Sequence, residues 1–443
     1  MMKDKSYWIG SGKFTMLERM TILITGIISF FLLVRVLNKE DYGIWIFFLT
    51  ITTLLDTARN GFFQNPLIRF LGTETPENKL KIQFVSFLLN IGLSTLCSVL
   101  LLLIMYPVSI AWENPQLFLL FIIYLATNII HSFLFHFEYI LKANYRFKGA
   151  FAGVLTRGVL LILIIGYYYI SKKQLSLEAL AIYYGFSSLM GVVCSYIYVR
   201  DIFRLDVPYD KAWAKQLFSY GYYTLGTSVS AVLMRYIDTW MLAFFISPVA
   251  VAAYNVAIRI ANLFEVPSMA LASMLFPKAV EKAKNQGEGI FKDLYEKSVA
   301  VILLFVTPCV IMVILFSDTI IWLLAGDQYM DSASILRVTM LYGLIIPLNK
   351  QMGILLEAIG KAKKNMFFVA RNAAINFVLN GIAIPVFGTI GAAYASLTTM
   401  MIVALLNQIY MSKNFGVEFL SLPRYIKFYF FFFFKRLISL KTQ

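Results

Sequence analysis

The chain has 443 residues, 60% of them hydrophobic and 14% charged, with a mean hydropathy of +0.74. This is too apolar for a water-soluble protein and excludes a cytosolic enzyme, a secreted disulfide scaffold and a disordered tail. The net charge of +15 does not by itself point to nucleic acid, because in a multispanning protein basic residues report topology first. Apolar windows of about 20 residues predict spans over roughly 15–37, 43–65, 82–106, 116–137, 150–171, 178–199, 217–246, 249–274, 297–317, 333–356, 365–386 and 390–411. Backbone polar groups in hydrocarbon must be bonded within the segment, and runs this long fit helices, not the strands of an outer-membrane barrel. The expected fold class is an all-α polytopic membrane protein with 12 transmembrane helices in two six-helix lobes, related by a pseudo-two-fold axis around a central cavity.

With the N-terminus inside, the inner segments hold 27 Lys and Arg residues, whereas the outer loops hold only Lys39, Lys172 and Lys173. This bias predicts both termini in the cytoplasm. The basic stretch Met1 to Lys13 runs into the first apolar window without a small-residue cleavage site, so a retained first span is expected. The basic linker Arg200 to Lys215 divides the chain near its middle, giving an N-terminal lobe over 1–205, a C-terminal lobe over 206–411 and a basic, aromatic tail over 412–443. Leu37 to Trp45 and Ile246 to Tyr254 are short outer turns separated by a constant offset of 209, which also aligns Asp56 with Glu265. A parallel internal repeat follows. In the tail, Tyr425 to Leu440 is short for a span and is expected to lie at the cytoplasmic interface, with a thirteenth helix as the alternative.

The sequence offers little covalent chemistry. Gly10 to Lys13 imitates a phosphate-binding loop, but Tyr7 stands where its first glycine belongs and Phe14 replaces the Ser or Thr after the lysine. His131 and His136 are five residues apart, which does not place two imidazoles on one helix face as a zinc motif does. They read as packed imidazoles, with proton exchange as the functional alternative. Cys97, Cys194 and Cys309 lie in apolar stretches and read as small hydrophobes. No metal, cofactor or catalytic residue is expected, and the chain does not read as an enzyme.

Charges deep in the bilayer are costly and face a bundle interior or a wet cavity. Away from helix ends these are Arg59, Arg157, Arg235, Arg259, Arg337, Lys350 and Arg371 against Asp56, Asp238 and Glu265. Asp56 with Arg59, and Arg235 with Asp238, are spaced as i, i+3 pairs that can neutralise each other. Arg157, Arg337 and Arg371 lie near span ends and can snorkel. Alternatively Arg59, Arg235 and Arg259 converge on a cavity whose missing counter-charge is an anionic substrate, for which a pyrophosphate fits the guanidinium fork. Arg19 extends that basic surface to the cytoplasmic mouth or meets a headgroup. Asp56, Asp238 and Glu265 are candidates for ion coupling or structural pairing. Pro267, Pro308 and Pro347 predict kinks.

Val34 to Trp45 (VRVLNKEDYGIW) resembles the first outer turn of the polysaccharide-biosynthesis and O-antigen flippases, and Phe387 to Tyr394 (FGTIGAAY) is similar to their turn before the last helix. The resemblance implies a two-lobe exporter of the multidrug/oligosaccharidyl-lipid/polysaccharide superfamily. It further implies a cargo of undecaprenyl-pyrophosphate-linked oligosaccharide, moved across the bacterial inner membrane by alternating access for O-antigen (lipopolysaccharide), capsule or exopolysaccharide assembly. Partners would be that lipid-linked oligosaccharide, a polysaccharide polymerase and other assembly proteins, and no nucleic acid. The alternatives are an ion-coupled multidrug exporter of the same fold, whose cavity should carry surplus acid, or a membrane-embedded glycosyltransferase or polymerase. The latter would need a catalytic outer loop, whereas the longest here, Asp318 to Ser332, is half apolar.

Overall fold

A computed structural model of the chain describes residues 2–263, 290–358 and 361–441. Among these the protein is all-helical, with no strand. In chain order the helices are α1 (Met2–Val36), α2 (Lys39–Thr73), α3 (Pro76–Ala111), α4 (Pro115–Ala143), α5 (Phe147–Ser171), α6 (Leu177–Val199), α7 (Lys211–Phe245), α8 (Pro248–Asn262), α9 (Ile290–Leu315), α10 (Ser317–Ala325), α11 (Ser332–Met340), α12 (Tyr342–Ala358), α13 (Ala362–Phe387), α14 (Thr389–Phe415) and α15 (Leu422–Lys441).

Eight of these helices are long and apolar enough to cross a membrane, and a ninth crossing results if α11 and α12, bent by 42°, form one span. That bend sits at Leu341, beside Gly343, whose carbonyl loses its i+4 donor to Pro347. Pro308 lies inside α9, and Pro267 lies outside the described residues. The long α2 and α7 are not in the apolar group, because polar and charged side chains such as Asp56, Arg59, Arg235 and Asp238 interrupt them. The sequence between Asp318 and Ser332, expected as an outer loop, folds into α10 and a short 3-10 turn at Asp327–Tyr329, and Asp318 is ion-paired to Arg337.

Local sequence explains the helix starts. Asn38 caps α2 by accepting from the Asp41 backbone N–H at 2.8 Å, and Ser247 caps α8 by accepting from Ala250 at 3.3 Å, with Pro248 pre-set for the first turn. The two capping residues are 209 apart, as are the helix ends before them, Val36 and Phe245, and the helix starts after them, Lys39 and Pro248. The offset seen in the sequence is thus a repeated piece of structure.

The chain packs as two compact units, Met1–Arg235 and Tyr236–Gln443. In the first, Phe63, Leu67, Ile82, Tyr139 and Ile140 form a buried cluster between α2, α3 and α4. The first part of α7 lies against α2 at backbone distance: a Cβ on Gly221 would stand 2.5 Å from the Phe62 carbonyl oxygen, so only glycine fits. Phe62 meets Phe218 and Phe70 meets Trp213 along the same seam. In the second unit, Phe291, Tyr295, Met352, Leu355 and Met411 form the core cluster, which α15 joins through Leu422. Large apolar side chains such as Leu103, Ile170, Phe244 and Met401 stay exposed, as expected of a surface covered by lipid tails.

Candidate functional site

Each unit holds one polar cluster built around an intramembrane aspartate. In the first unit, Asp56 and Arg59 lie one turn apart on α2 and form a salt bridge. Arg59 is 3% exposed. Its Nη1 lies 2.9 Å from Asn128 Oδ1, 3.1 Å from the Asn128 carbonyl and 3.3 Å from the hydroxyls of Ser94 and Ser132, while its Cζ stands 5.2 Å from the centre of the Phe135 ring. Asp56 is also met by Tyr124 Oη at 3.4 Å and by His131 Nδ1 at 3.1 Å, and the other nitrogen of His131 lies 3.0 Å from Ser188 Oγ. Asn128 is held in turn by donation to Ser98 Oγ and the Ser94 carbonyl. Helix α4 supplies Asn128, His131 and Ser132 at i, i+3 and i+4, one face of a helix. A charge taken from water needs this surrounding of dipoles and an opposite charge, and Arg59 has both.

In the second unit Asp238, on the last turns of α7, has no cation among its hydrogen-bond partners in the described residues. Its Oδ2 accepts from Ser396 at 2.6 Å and from Tyr254 Oη at 2.7 Å, and its Oδ1 accepts from Asn380 Nδ2 at 2.8 Å. Asn376 donates to Ser396 at 3.1 Å. The amide oxygens of Asn376 and Asn380 are buried without a hydrogen-bond partner. Helices α7, α8, α13 and α14 thereby gather one carboxylate, two hydroxyls and two unsatisfied amide oxygens, a set of hard donors suited to a cation or a proton. Among the described residues no three His, Cys, Asp or Glu side chains gather at a metal-binding spacing.

The expected site residues are therefore distributed unevenly. Asp56 and Arg59 pair as their spacing predicts, and Arg59 is buried within the polar shell of that pair. The Arg235–Asp238 pair is not among the salt bridges of the described residues: Arg235 is exposed, and Asp238 is satisfied by neutral groups instead. Arg259 is half-buried and donates through Nε to Asn255 Oδ1 at 3.1 Å. Arg19 is exposed on α1, while its neighbour Glu18 is buried and ion-paired at 2.9 Å to Lys142, which also pairs with Glu138. Glu265 lies outside the described residues. His131 and His136 are both fully buried, His131 within the Asp56 cluster and His136 between the rings of Phe87 and Phe203. Arg371 contacts Asn372 and Asn407. The uncharged partners Ser94, Asn128, Ser132, Asn376, Asn380 and Ser396 escape a reading based on charge; the i, i+4 repeats Asn128/Ser132 and Asn376/Asn380 were the available signal.

Long apolar helices, polar clusters buried among them and a repeated hairpin define a multi-pass membrane protein. The fold agrees with solved transporters. It superposes on an inward closed form of the lipid II flippase MurJ with a TM-score of 0.72 at 16% identity, covering 97% of this chain and 93% of that one. An inward-facing multidrug resistance MATE family transporter matches with a TM-score of 0.70 at 14% identity, over 90% and 94%. A MOP superfamily transporter from Pyrococcus furiosus matches at 0.61 and 14%, over 95% and 96%. Residues 32–334 match the family model described as polysaccharide biosynthesis protein, and the chain belongs to that family. Among curated relatives, a probable low-salt glycan biosynthesis flippase of Haloferax volcanii is 23% identical over 55% of this chain and 51% of its own length. An uncharacterized membrane protein of Methanocaldococcus jannaschii is 26% identical over 53% and 47%. The matches thus span about half the length of these relatives.

Proposed function

We propose that the protein is a flippase that carries an undecaprenyl-pyrophosphate-linked oligosaccharide from the inner to the outer leaflet of a bacterial inner membrane by alternating access, for O-antigen, capsule or exopolysaccharide assembly. Twelve spans in two six-helix lobes, with both termini in the cytoplasm, give the topology; the even span number follows from the distribution of Lys and Arg. No bond is made or broken in the cargo.

The observation that carries this reading is the unpaired relation of Arg235 and Asp238. Had Arg235 neutralised Asp238, neither would have charge to offer. Instead the carboxylate is held by hydroxyl and amide donors, and the guanidinium three residues earlier is exposed. Arg235, Arg259 and Arg19 are assigned to the diphosphate of the cargo, and a polymerase receives the product. Asp238 is assigned to the coupling ion, a role in which Asn376, Asn380 and Ser396 assist. Asp56 and Arg59 hold the first unit together, and Glu265 joins the ion-coupling group on sequence grounds alone.

Complementation of a flippase-deficient strain tests the assignment. Arg235→Ala and Arg259→Ala are expected to reduce surface glycan at wild-type membrane levels of protein. Normal glycan in both variants overturns the cargo site. A gain of resistance to cationic drugs, with no effect on glycan, would replace the reading by multidrug export.

A further inference from the structure

The tail helix α15 has two faces of different character. Leu422, Tyr425, Ile426 and Tyr429, at i, i+3, i+4 and i+7, are buried or half-buried, and the first three pack on the core cluster of the second unit. The docking is specific. Glu418, just before the helix, donates its backbone N–H to the buried Glu296 at 2.8 Å and pairs through its side chain with Lys292 at 2.6 Å. Tyr425 Oη lies 3.4 Å from Asp293, and the Lys297 ammonium lies 5.9 Å from the centre of the Tyr425 ring.

The opposite face carries Arg424, Lys427, Phe428 and Phe431 at the same spacing, all exposed, with Phe430 beside them. Phe428, Phe430 and Phe431 are 59%, 52% and 50% exposed. Bulk water disfavours three phenyl rings on one face, and hydrocarbon disfavours the guanidinium and ammonium that share it. The boundary layer accommodates both kinds of group. From residue 419 to the end the sequence contains five basic residues and no acidic one, so the layer it complements is negatively charged.

We propose that α15 is a fixed docking platform for the anionic glycerophospholipid headgroups of the cytoplasmic leaflet, held by α9 so that Arg424 and Lys427 meet phosphate while Phe428 and Phe431 enter the acyl boundary. The proposal depends on membrane embedding and not on the cargo. The test is hydrogen exchange of the segment 422–441 in the full chain, placed in nanodiscs of phosphatidylcholine or of equal parts phosphatidylcholine and phosphatidylglycerol. Exchange is expected to slow in the anionic discs, and Arg424→Gln with Lys427→Gln should shrink that difference by about tenfold or more. Equal exchange in both discs overturns the proposal. So does protection that appears only when undecaprenyl diphosphate is added to neutral discs, which would make the surface a cargo-recruiting site. A Ser439→Cys variant in a background with Cys97, Cys194 and Cys309 replaced by alanine should resist an impermeant maleimide applied to intact cells; rapid labelling would mean that α15 crosses the membrane.

Discussion

The aspartate clusters of the two units solve the same electrostatic problem in opposite ways. Asp56 is balanced by Arg59 one turn away and surrounded by His131, Tyr124 and a shell of Ser and Asn. Among the described residues Asp238 is held by the neutral groups of Ser396, Tyr254 and Asn380, with two amide oxygens left over. A balanced pair has nothing to gain from an incoming ion and serves cohesion. A lone carboxylate among neutral oxygens changes its energy strongly when a cation or proton arrives, which suits a group whose state must alternate. Position inside the membrane alone does not make a residue functional; the charge of its immediate partners decides.

The sharpest way to break this contrast is Arg59→Ala, which leaves Asp56 buried without its countercharge and is expected to cost about 3–5 kcal/mol in thermal unfolding in detergent. The double variant Asp56→Leu with Arg59→Met should cost clearly less, and equal losses would mean that the pair is not self-contained. Next, Asp238→Ala is expected to lower transport by about a hundredfold and abolish its dependence on the coupling ion, roughly the worth of a lost charge-assisted contact. Retained ion dependence in that variant would remove Asp238 from the coupling role. Gly221→Ala drives a Cβ against the Phe62 carbonyl and should destabilise the first unit by about 1–3 kcal/mol, read by the same unfolding assay. The smallest effect belongs to Asp201, outside the spans, where hydrogen bonds from Arg146 hold the carboxylate below its ordinary range. A lowered folded-state value means that its contribution is complete above the ordinary range and fades only as pH falls through the folded value. Asp201→Asn is therefore expected to lower the unfolding temperature only slightly at neutral pH, where the contribution is complete but small because the pair is open to solvent, and the difference from the parent should vanish as pH falls through the folded value.

Hydropathy made most of the helices legible, because a span must be apolar over a length fixed by the bilayer. The offset of 209 was legible for the same reason that the turns are short: Asn38 and Ser247 each supply a cap where a helix must begin at once. The Asp56–Arg59 pair followed from i, i+3 spacing. The partner 75 residues away, His131, did not, since nothing local ties it to α2. Spacing also suggested Arg235–Asp238, and there tertiary contacts prevailed: Asn380 and Ser396, more than 140 residues downstream, meet the carboxylate. Helix α10 is not legible as a helix from hydropathy because its nine residues are too few for a span and its flanking acids resemble a solvated segment.

The two capped turns carry a mechanical implication. Only Leu37 and Asn38 separate α1 from α2, and only Ile246 and Ser247 separate α7 from α8. Connections this brief have no slack, so a tilt of one helix in either hairpin must drag its companion along. Inserting a few glycines after Asn38 or Ser247 would act like loosening a rivet: the protein would still assemble, but motion would no longer pass across the joint.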